Sequence, residues 1–340
     1  MHVNNPDFLI LIQSQLESLE KKISTQIYSD SPIVEQMLRY TLSGKGKRLR
    51  PALVLLSGHA VGPLTVAHED ISVAIELIHT ATLVHDDIID EATLRRQKTS
   101  LNAQYGNEMA VIFGDYLLAM AFSILAKLAN IDVLNRITQV THTICEGELF
   151  QTHRRFDFDL SKADYLKMIE QKTASLFAVS CRLGSLLAGG SLKQQITMEN
   201  FGLELGMAFQ IMDDCLDILG DEERTGKSLG TDIKKGKWTL PLLHLREAMK
   251  KTDWEDVRVL LFEDMQEMRL RRLVDYLVQY EAMDRTLEDV QIRIENAKAC
   301  LDAIPNGPAL AALCDFADDV LERHRKIFKD RTTSAIAHSA

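Results

Sequence analysis

Two short aspartate clusters contain the residues of this sequence best suited to chemistry. The first is Asp86-Asp87-Ile88-Ile89-Asp90, and the second is Asp213-Asp214-Cys215-Leu216-Asp217. In each cluster the first and last aspartates are four residues apart, so on a helix their carboxylates lie on one face about one turn apart. Magnesium takes few protein carboxylates and completes its octahedron with water and substrate phosphates. The two clusters therefore suit a diphosphate that is held through several metal ions.

Each cluster interrupts a segment that is otherwise almost entirely apolar. The segments are Ile71–Ala92 and Gln195–Leu219. A solvated acidic face is the alternative interpretation of such a cluster. Because unpaired charge within an apolar helix is costly, the sequence favours metal ligands over that alternative.

Three basic groups have the complementary chemistry. They are Lys47-Arg48-Leu49-Arg50, Arg95-Arg96, and the pair Lys227 and Lys237. Arginine matches phosphate oxygens through its forked donors, and lysine adds a compact charge. A solvated charged surface is the alternative, above all for the first group. The presence of two acidic clusters in the same chain favours phosphate binding.

Four further polar residues lie in apolar surroundings, and each is a weak signal by itself. Lys172 and Thr173 bring an ammonium and a hydroxyl to a predicted helix, and Gln210 precedes Asp213 by three residues. His79 lies seven residues before Asp86 and should face the same side of its helix. An isolated histidine of this kind is more often a hydrogen-bonded structural residue than a ligand.

Helices are the elements that must position these residues. Apolar residues recur at helical spacing from Phe8 to Ile27 and again around Leu310–Val320. Five stretches between them are too long for strands and contain no proline: Ile71–Ala92, Val111–Ala129, Ile131–Phe150, Tyr165–Ala188 and Gln195–Leu219. The breaks are short or polar and do not resemble linkers between domains. We therefore predict a single all-α domain over 1–340, a bundle of long antiparallel helices around a deep central cavity, with a frayed tail at 331–340.

Composition excludes some classes of function. The net charge is -10, which argues against general nucleic-acid binding because that needs a basic surface. The five cysteines are scattered and contain no C-x-x-C pair, so we predict reduced core residues rather than a disulfide framework or zinc site. We find no signal peptide and no apolar run that approaches the length of a membrane span. The sequence therefore predicts a cytoplasmic protein with no membrane span.

The motifs together resemble the trans-polyprenyl diphosphate synthases, of medium- to long-chain type. The resemblance covers about Ser43 to Pro241 in order, with weaker similarity at both ends. Two D-D-x-x-D motifs with basic residues at these positions are specific for that family, whereas one motif alone is not. The stretches that carry the resemblance are Gly46–Pro51, His79–Asp90 with Arg95-Arg96, Lys172–Ala174, Phe209–Asp217, and Gly226-Lys227 through Asp232 to Pro241.

The resemblance implies a role for each matching residue. Asp86, Asp90 and Asp213 would bind magnesium, three ions per active site, while Asp87, Asp214 and Asp217 would support them or coordinate through water. The residues implied for the allylic diphosphate are Arg95, Lys172, Lys227 and Lys237. Those implied for isopentenyl diphosphate are Lys47, Arg50, His79 and Arg96. Thr173 and Gln210 would line the reacting centre, so that Lys172, Thr173, Gln210 and Lys237 form the catalytic set.

The implied reaction joins isopentenyl diphosphate to an allylic diphosphate. Magnesium and cationic side chains stabilise the departing diphosphate, an apolar cavity accommodates the allylic cation, isopentenyl diphosphate attacks, and a proton leaves. The resemblance also implies a homodimer, with a heteromeric partner subunit as the other possibility. It assigns the fold to the isoprenoid synthase type.

Product length is expected to depend on the residues one turn before Asp86. These are Ala81 and Thr82. In the family, a bulky aromatic there closes the pocket, and small residues leave an elongation tunnel open. We therefore expect a product longer than farnesyl diphosphate. Simple close helix packing is an alternative and compatible explanation of Ala81.

Two other functions share some of these features. A terpene cyclase has the same ionisation chemistry but usually a second metal motif of the Asn/Ser/Glu type, whereas this chain has a second aspartate triad. A non-catalytic subunit of a heteromeric synthase commonly lacks one aspartate cluster. This chain has both clusters, so a catalytic subunit of a two-component synthase is the more serious variant.

Overall fold

A computed structural model describes residues 7–43, 46–95, 98–219, 229–262 and 267–322. These residues are almost entirely helical, which confirms the predicted all-α class. The strands within the described ranges are two antiparallel pieces of two residues, β1 (Leu94–Arg95) and β2 (Lys98–Thr99). They form a small hairpin just after the first aspartate cluster.

The first part of the chain contains a 3-10 turn and ten α-helices. The turn is Asp7–Ile12. The helices are α1 (Gln13–Thr25), α2 (Pro32–Leu42), α3 (Leu49–His59), α4 (Val66–Ile89), α5 (Leu101–Tyr105), α6 (Asn107–Lys127), α7 (Ile131–His153), α8 (Lys162–Ile169), α9 (Ser175–Leu187) and α10 (Leu192–Leu219). A π-helical turn, Glu170–Ala174, joins α8 to α9.

Shorter helices follow α10. They are Thr231–Lys234, Leu240–Ala248, Lys251–Phe262, Glu267–Gln279, Ala282–Cys300, the 3-10 turn Leu301–Ala303, and a helix over residues 308–322. Thr239 precedes one of these helices in extended conformation, and Pro241 occupies its first turn, where a missing backbone N–H costs nothing.

The chain divides into two compact units. Unit 1 comprises Met1–His142, Leu176–Gly202 and Lys298–Phe316, and unit 2 comprises Thr143–Ser175, Leu203–Ala297 and Ala317–Ala340. The first aspartate cluster belongs to unit 1 and the second to unit 2. The expected single domain over 1–340 stays a prediction.

Helix α4 is the central element of unit 1. Its residues from Ile71 to Ile78 are buried on every side, as the mostly apolar sequence predicts. It starts five residues earlier than predicted because Thr65 and His68 form a capping box. The His68 ring is fully buried, with Nε2 at 3.1 Å from the carbonyl oxygen of Gly184. This histidine therefore ties the start of α4 to α9.

The predicted helix Tyr165–Ala188 is not one regular helix. The structure has α8, then the π-turn Glu170–Ala174, then α9. A π-turn adds one residue to the winding and occurs often at functional sites. Hydrophobic periodicity does not reveal such a turn, because its five residues are too few to define a period of their own.

Helix α6 corrects the statement that no apolar run approaches the length of a membrane span. It has 21 residues, and its most apolar 18-residue stretch has a mean hydropathy of 2.0 with 33% of that stretch buried. By length and composition alone it is long enough to cross a bilayer. Its outward face is apolar at Met109, Ile112 and Tyr116.

The cysteines correct a second expectation. Cys181 and Cys215 are buried, as predicted for core residues, but Cys145 is exposed and Cys300 and Cys314 are half-buried. Their predicted placement in the core is therefore right for two of them, and the absence of a disulfide framework stays a prediction.

Candidate active site

In unit 1, the end of α4 presents Asp86 and Asp90 one turn apart. The N–H of Asp90 donates to the carbonyl oxygen of Asp86 at 2.8 Å, which shows the helical spacing directly. Both residues are partly exposed. This arrangement agrees with the predicted pair of carboxylates on one helix face.

Asp87 has a different environment from its two neighbours. It is buried, with 4% of its surface exposed, and its Oδ2 accepts a hydrogen bond of 2.7 Å from Nε of Arg95. Its main-chain oxygen accepts from Nδ2 of Asn102 at 3.3 Å. Asp87 therefore connects the aspartate cluster to the hairpin that carries Arg95. Tyr40 supports the same hairpin by donating its hydroxyl to the oxygen of Thr99 at 2.6 Å.

Arg48 holds the basic segment before α3 in place. Its φ is 47°, in the left-handed region that is uncommon for residues other than glycine. Its side chain is 9% exposed and forms ion pairs with Glu20 at 2.7 Å and Glu76 at 2.6 Å. Burial lowers the pKa of the Arg48 guanidinium, but the hydrogen bonds and charges of Glu20 and Glu76 together outweigh it, so the pKa is raised above its usual value. The exposed Lys47 and the half-buried Arg50 flank this anchored residue.

Replacing Arg48 with methionine should lower the free energy of unfolding by about 3–5 kcal/mol, because Glu76 would be left buried without its cation. Urea unfolding checks this value. The matched control is Arg39→Met, which removes an exposed pair with Glu35 four residues away and should cost about 0.3–0.5 kcal/mol. Equal losses in the two variants would contradict a special role for Arg48.

The other predicted residues of unit 1 have clear positions. The Arg50 guanidinium lies over the ring of Phe177 at 4.7 Å from its centroid. His79 is half-buried on α4. Ala81 is fully buried, and the hydroxyl of Thr82 donates to the oxygen of His79 at 2.8 Å. Arg96 of unit 1 and Lys227 of unit 2 lie outside the described residues.

In unit 2, the three aspartates of the second cluster have three different environments. Asp213 is exposed, Asp214 is buried and Asp217 is half-buried. Both carboxylate oxygens of Asp217 accept hydrogen bonds, Oδ1 from the hydroxyl of Thr231 at 2.6 Å and Oδ2 from the N–H of Asp232 at 3.0 Å. Burial, followed by repulsion from Asp232, raises the pKa of Asp217 to about 6. Asp217 therefore ties the helix that begins at Thr231 to the end of α10.

Asp214 lies within a chain of four hydrogen-bonded side chains. Its Oδ2 accepts from the hydroxyl of Tyr165 at 2.6 Å, and its Oδ1 accepts from Nε2 of Gln210 at 2.7 Å. The amide oxygen of Gln210 accepts from the hydroxyl of Thr173, also at 2.7 Å. Burial, followed by repulsion from Asp232, raises the pKa of Asp214 to about 8.

The two predicted lysines of unit 2 within the described residues both lie beside acidic groups. Lys172, in the π-turn, forms an ion pair with Glu148 and donates to Oε1 of Gln151 at 3.0 Å. Lys237 is 3.5 Å from Oδ1 of Asp232, and its side chain is 9% exposed. The surrounding groups restrict both ammonium groups to definite positions.

Sequence reasoning missed several residues that contact the predicted set. They are Tyr165, Glu148 and Gln151. Tyr165 belongs to an apolar stretch and is typical of a core aromatic residue, so its residue type does not indicate a contact with the site. Glu148 and Gln151 are three residues apart on α7, a spacing that places them on one face but does not identify a partner.

The carboxylates suit magnesium by their chemistry. Among the residues that the structure describes, no group of three or more histidine, cysteine, aspartate or glutamate side chains is arranged to hold a metal ion. Magnesium needs only one or two carboxylates when water and substrate phosphate complete its shell. The partly exposed Asp86 and Asp90 and the exposed Asp213 meet that requirement.

An all-α fold that carries two D-D-x-x-D clusters with basic side chains defines an isoprenyl synthase. The sequence model of the family described as "Polyprenyl synthetase" matches residues 31–277. The chain belongs to the polyprenyl synthetase family.

Relatives support this assignment over nearly the whole chain. Octaprenyl diphosphate synthase of Escherichia coli (strain K12) is 33% identical over 315 residues, which cover 93% of this chain and 98% of that protein. Heptaprenyl diphosphate synthase component 2 of Bacillus subtilis (strain 168) is 30% identical over 313 residues, with 92% and 89% covered.

Solved structures agree. The crystal structure of polyprenyl synthase from Caulobacter crescentus CB15, complexed with calcium and isoprenyl diphosphate, matches with a TM-score of 0.89 and 32% identity, covering 93% of this chain and 97% of that one. The predicted family, fold class and enzyme class are therefore confirmed: the chain is a trans-prenyltransferase. The terpene cyclase and the non-catalytic subunit are not favoured.

Proposed function

We propose that this enzyme condenses isopentenyl diphosphate with an allylic diphosphate and makes a product longer than farnesyl diphosphate. The observation that carries the proposal is the pair of aspartate clusters, each at the end of a long buried helix with one or two carboxylates accessible. The octaprenyl and heptaprenyl synthases among the relatives support the long product. The small side chain of Ala81 before the first cluster supports it too, because the proposed elongation needs a residue that is not bulky there.

We further propose that Asp86, Asp90 and Asp213 bind Mg²⁺, three ions per active site. Their partial or full exposure supports this role. The other three aspartates accept hydrogen bonds from protein side chains: Asp87 from Arg95, Asp214 from Tyr165 and Asp217 from Thr231. We therefore assign them a supporting role rather than that of principal metal ligands. When bound, Mg²⁺ would neutralise the charge that develops on the leaving diphosphate.

The side chains of this protein then act on the two substrates. The proposed ligands of the allylic diphosphate are Arg95, Lys172, Lys227 and Lys237, and those of isopentenyl diphosphate are Lys47, Arg50, His79 and Arg96. The cations at the allylic diphosphate stabilise the charge that grows on this leaving group as the carbon–oxygen bond breaks, whereas those at isopentenyl diphosphate hold a diphosphate that stays attached. Thr173 and Gln210 face the allylic cation with their oxygens. The released diphosphate takes the final proton, so no side chain is assigned as the base.

The test is a product-length assay with labelled isopentenyl diphosphate and each of three starters: dimethylallyl, geranyl and farnesyl diphosphate. We expect Mg²⁺-dependent products longer than farnesyl diphosphate. Farnesyl diphosphate as sole product would refute the open tunnel, and no condensation with any starter would refute the proposed reaction for the isolated chain.

We propose that the enzyme is a homodimer that buries the outward face of α6. Ile112 is 65% exposed, and Met109, Val111 and Tyr116 are also exposed on this helix. An apolar patch of this kind on a soluble protein marks an interaction site. Two copies of an α6 face would form a self-complementary interface, as twofold symmetry requires.

Ile112→Glu should therefore shift the protein from dimer to monomer, because it places a charge within the proposed interface. Analytical ultracentrifugation measures the change. The matched control is Val259→Glu, which alters an apolar residue of unit 2 that is 58% exposed and should leave the mass unchanged. A wild-type protein that sediments as a monomer would contradict the proposal.

A heteromeric partner is the second candidate assembly. The relative from Bacillus subtilis is named as component 2 of a heptaprenyl diphosphate synthase. Activity of the purified chain alone distinguishes the two assemblies, because a two-component enzyme stays inert until the other polypeptide is added. Location in the cytoplasm stays a prediction.

A further inference from the structure

We propose that Tyr165 and Asp214 are positioning residues that fix the direction of the hydrogen bonds of Gln210 and Thr173, so that oxygen lone pairs rather than protons face the reacting centre. The inference rests on the proposed function, because it assigns a purpose to the polarity of two side chains at the allylic cation. It concerns the four side chains Tyr165, Asp214, Gln210 and Thr173, all of which belong to unit 2.

The direction of these hydrogen bonds, from donor to acceptor, is set at Asp214. Gln210 and Asp214 are four residues apart on α10, and Nε2 of Gln210 is 2.7 Å from Oδ1 of Asp214. An amide has donors at one end and an acceptor at the other. Since Oδ1 takes the amide donor, the amide oxygen of Gln210 must turn to the opposite side, where it meets the hydroxyl of Thr173 at 2.7 Å.

Thr173 must therefore donate its only proton to Gln210. A hydroxyl has one donor and two acceptor lone pairs. With the proton used, the oxygen of Thr173 has only lone pairs left to present elsewhere. That polarity suits a cation, whereas a hydroxyl proton directed at the same place would oppose it. Fixed dipoles of this kind act without reorganising during the reaction.

Tyr165 supports this direction by occupying the other oxygen of Asp214. Its hydroxyl donates to Oδ2 at 2.6 Å, the oxygen that Gln210 does not use. Oδ1 is therefore left to accept from Gln210. Tyr165 and Asp214 are 2% and 6% exposed, so water does not compete for these atoms.

The π-turn is what allows Tyr165 and Thr173 to reach the same pair of residues on α10. In a regular helix, two residues eight positions apart point about 80° away from one another. The turn Glu170–Ala174, which contains Thr173, changes the winding on the way from Tyr165 to Thr173. The buried tyrosine and the hydroxyl of Thr173 thus contact opposite ends of the Gln210–Asp214 pair.

The experiment is a double-mutant cycle on kcat with geranyl diphosphate and isopentenyl diphosphate. Tyr165→Phe should lower kcat about 10-fold, the effect of about one hydrogen bond, with KM for both substrates changed less than about 2-fold. If Tyr165 acts through Thr173, then Tyr165→Phe should have no further effect in a Thr173→Val background, because coupled residues are not additive. The control is Tyr280→Phe, which removes another tyrosine–aspartate hydrogen bond, to Asp253 at 3.2 Å, and should leave kcat unchanged.

A second variant keeps the test decisive if Tyr165→Phe folds poorly. Asp214→Asn is isosteric. Its amide can donate to Gln210 and so reverse the donor–acceptor direction of the hydrogen bonds from residue 214 to Thr173. It should lower kcat in the wild type but not in the Thr173→Val background, and the Mg²⁺ concentration for half-maximal rate should be unchanged. Additive losses in either cycle, or a raised Mg²⁺ requirement, would overturn the proposal. A wild-type enzyme without condensation activity would instead refute the proposed function, so the two failures are distinguishable.

Discussion

Replacing Asp213 with asparagine should lower kcat by about 10²–10³-fold, the size of effect that follows when one electrostatic stabiliser is removed from an active site. Asp213 is the exposed carboxylate of its cluster, and the substitution removes its charge while keeping its shape. Magnesium prefers charged oxygen ligands, so the Mg²⁺ concentration needed for half-maximal rate should rise. Steady-state kinetics over a range of Mg²⁺ concentrations measures both quantities.

Two control variants show whether this effect is specific. Asp256→Asn changes another exposed aspartate of unit 2 and should leave kcat and the Mg²⁺ dependence unchanged. The free energy of unfolding of Asp213→Asn should stay within about 0.5 kcal/mol of the wild type, as for other exposed sites. Activity within a few-fold of wild type in Asp213→Asn would contradict a metal role for this residue.

Replacing Ala81 with phenylalanine should convert the enzyme to one that releases a shorter product. Ala81 is fully buried on α4, five residues before Asp86, and a benzyl group there would fill the space into which the chain is proposed to grow. Separation of the labelled products by chain length measures the effect. Overpacking should also cost about 1–3 kcal/mol of stability, so the enzyme should be assayed well below its unfolding temperature.

The matched control for this change is Leu83→Phe. Leu83 is two residues further along α4, so it points about 200° away around the helix axis. Leu83→Phe should give products of the same length as the wild type, and any loss of stability should again come from overpacking. If Ala81→Phe and wild type made products of the same length, the buried alanine would reflect close packing alone.

The all-α class and the chemistry of the aspartate clusters could be predicted because both depend on local spacing. The four-residue spacing of Asp86 and Asp90 defines a helix face without any tertiary information. The start of α4 was misplaced by five residues for an equally local reason: the side chain of His68 replaces the usual Glu or Gln in the capping box. The existence of an element was thus easier to predict than its boundary.

The differences among aspartates of one cluster could not be predicted. Asp213 and Asp214 are adjacent and identical in type, yet one is exposed and the other buried. The difference depends on Tyr165, which is 49 positions away in the chain. The same holds for Asp87, which pairs with Arg95. That pairing depends on a hairpin whose strands have only two residues each, too short to be predicted from strand propensity. Partners of this kind become known only when the chain is folded.

The π-turn between α8 and α9 makes the local chain length as important as the residue types. Deleting one residue within Glu170–Ala174 would remove the extra residue that the π-turn accommodates and would change the position of Thr173 relative to Gln210. A loop of comparable length tolerates insertions and deletions at little cost, since the entropy of closure changes slowly with length. Alignments that open a gap between Tyr165 and Thr173 would therefore pair residues that cannot have the same role.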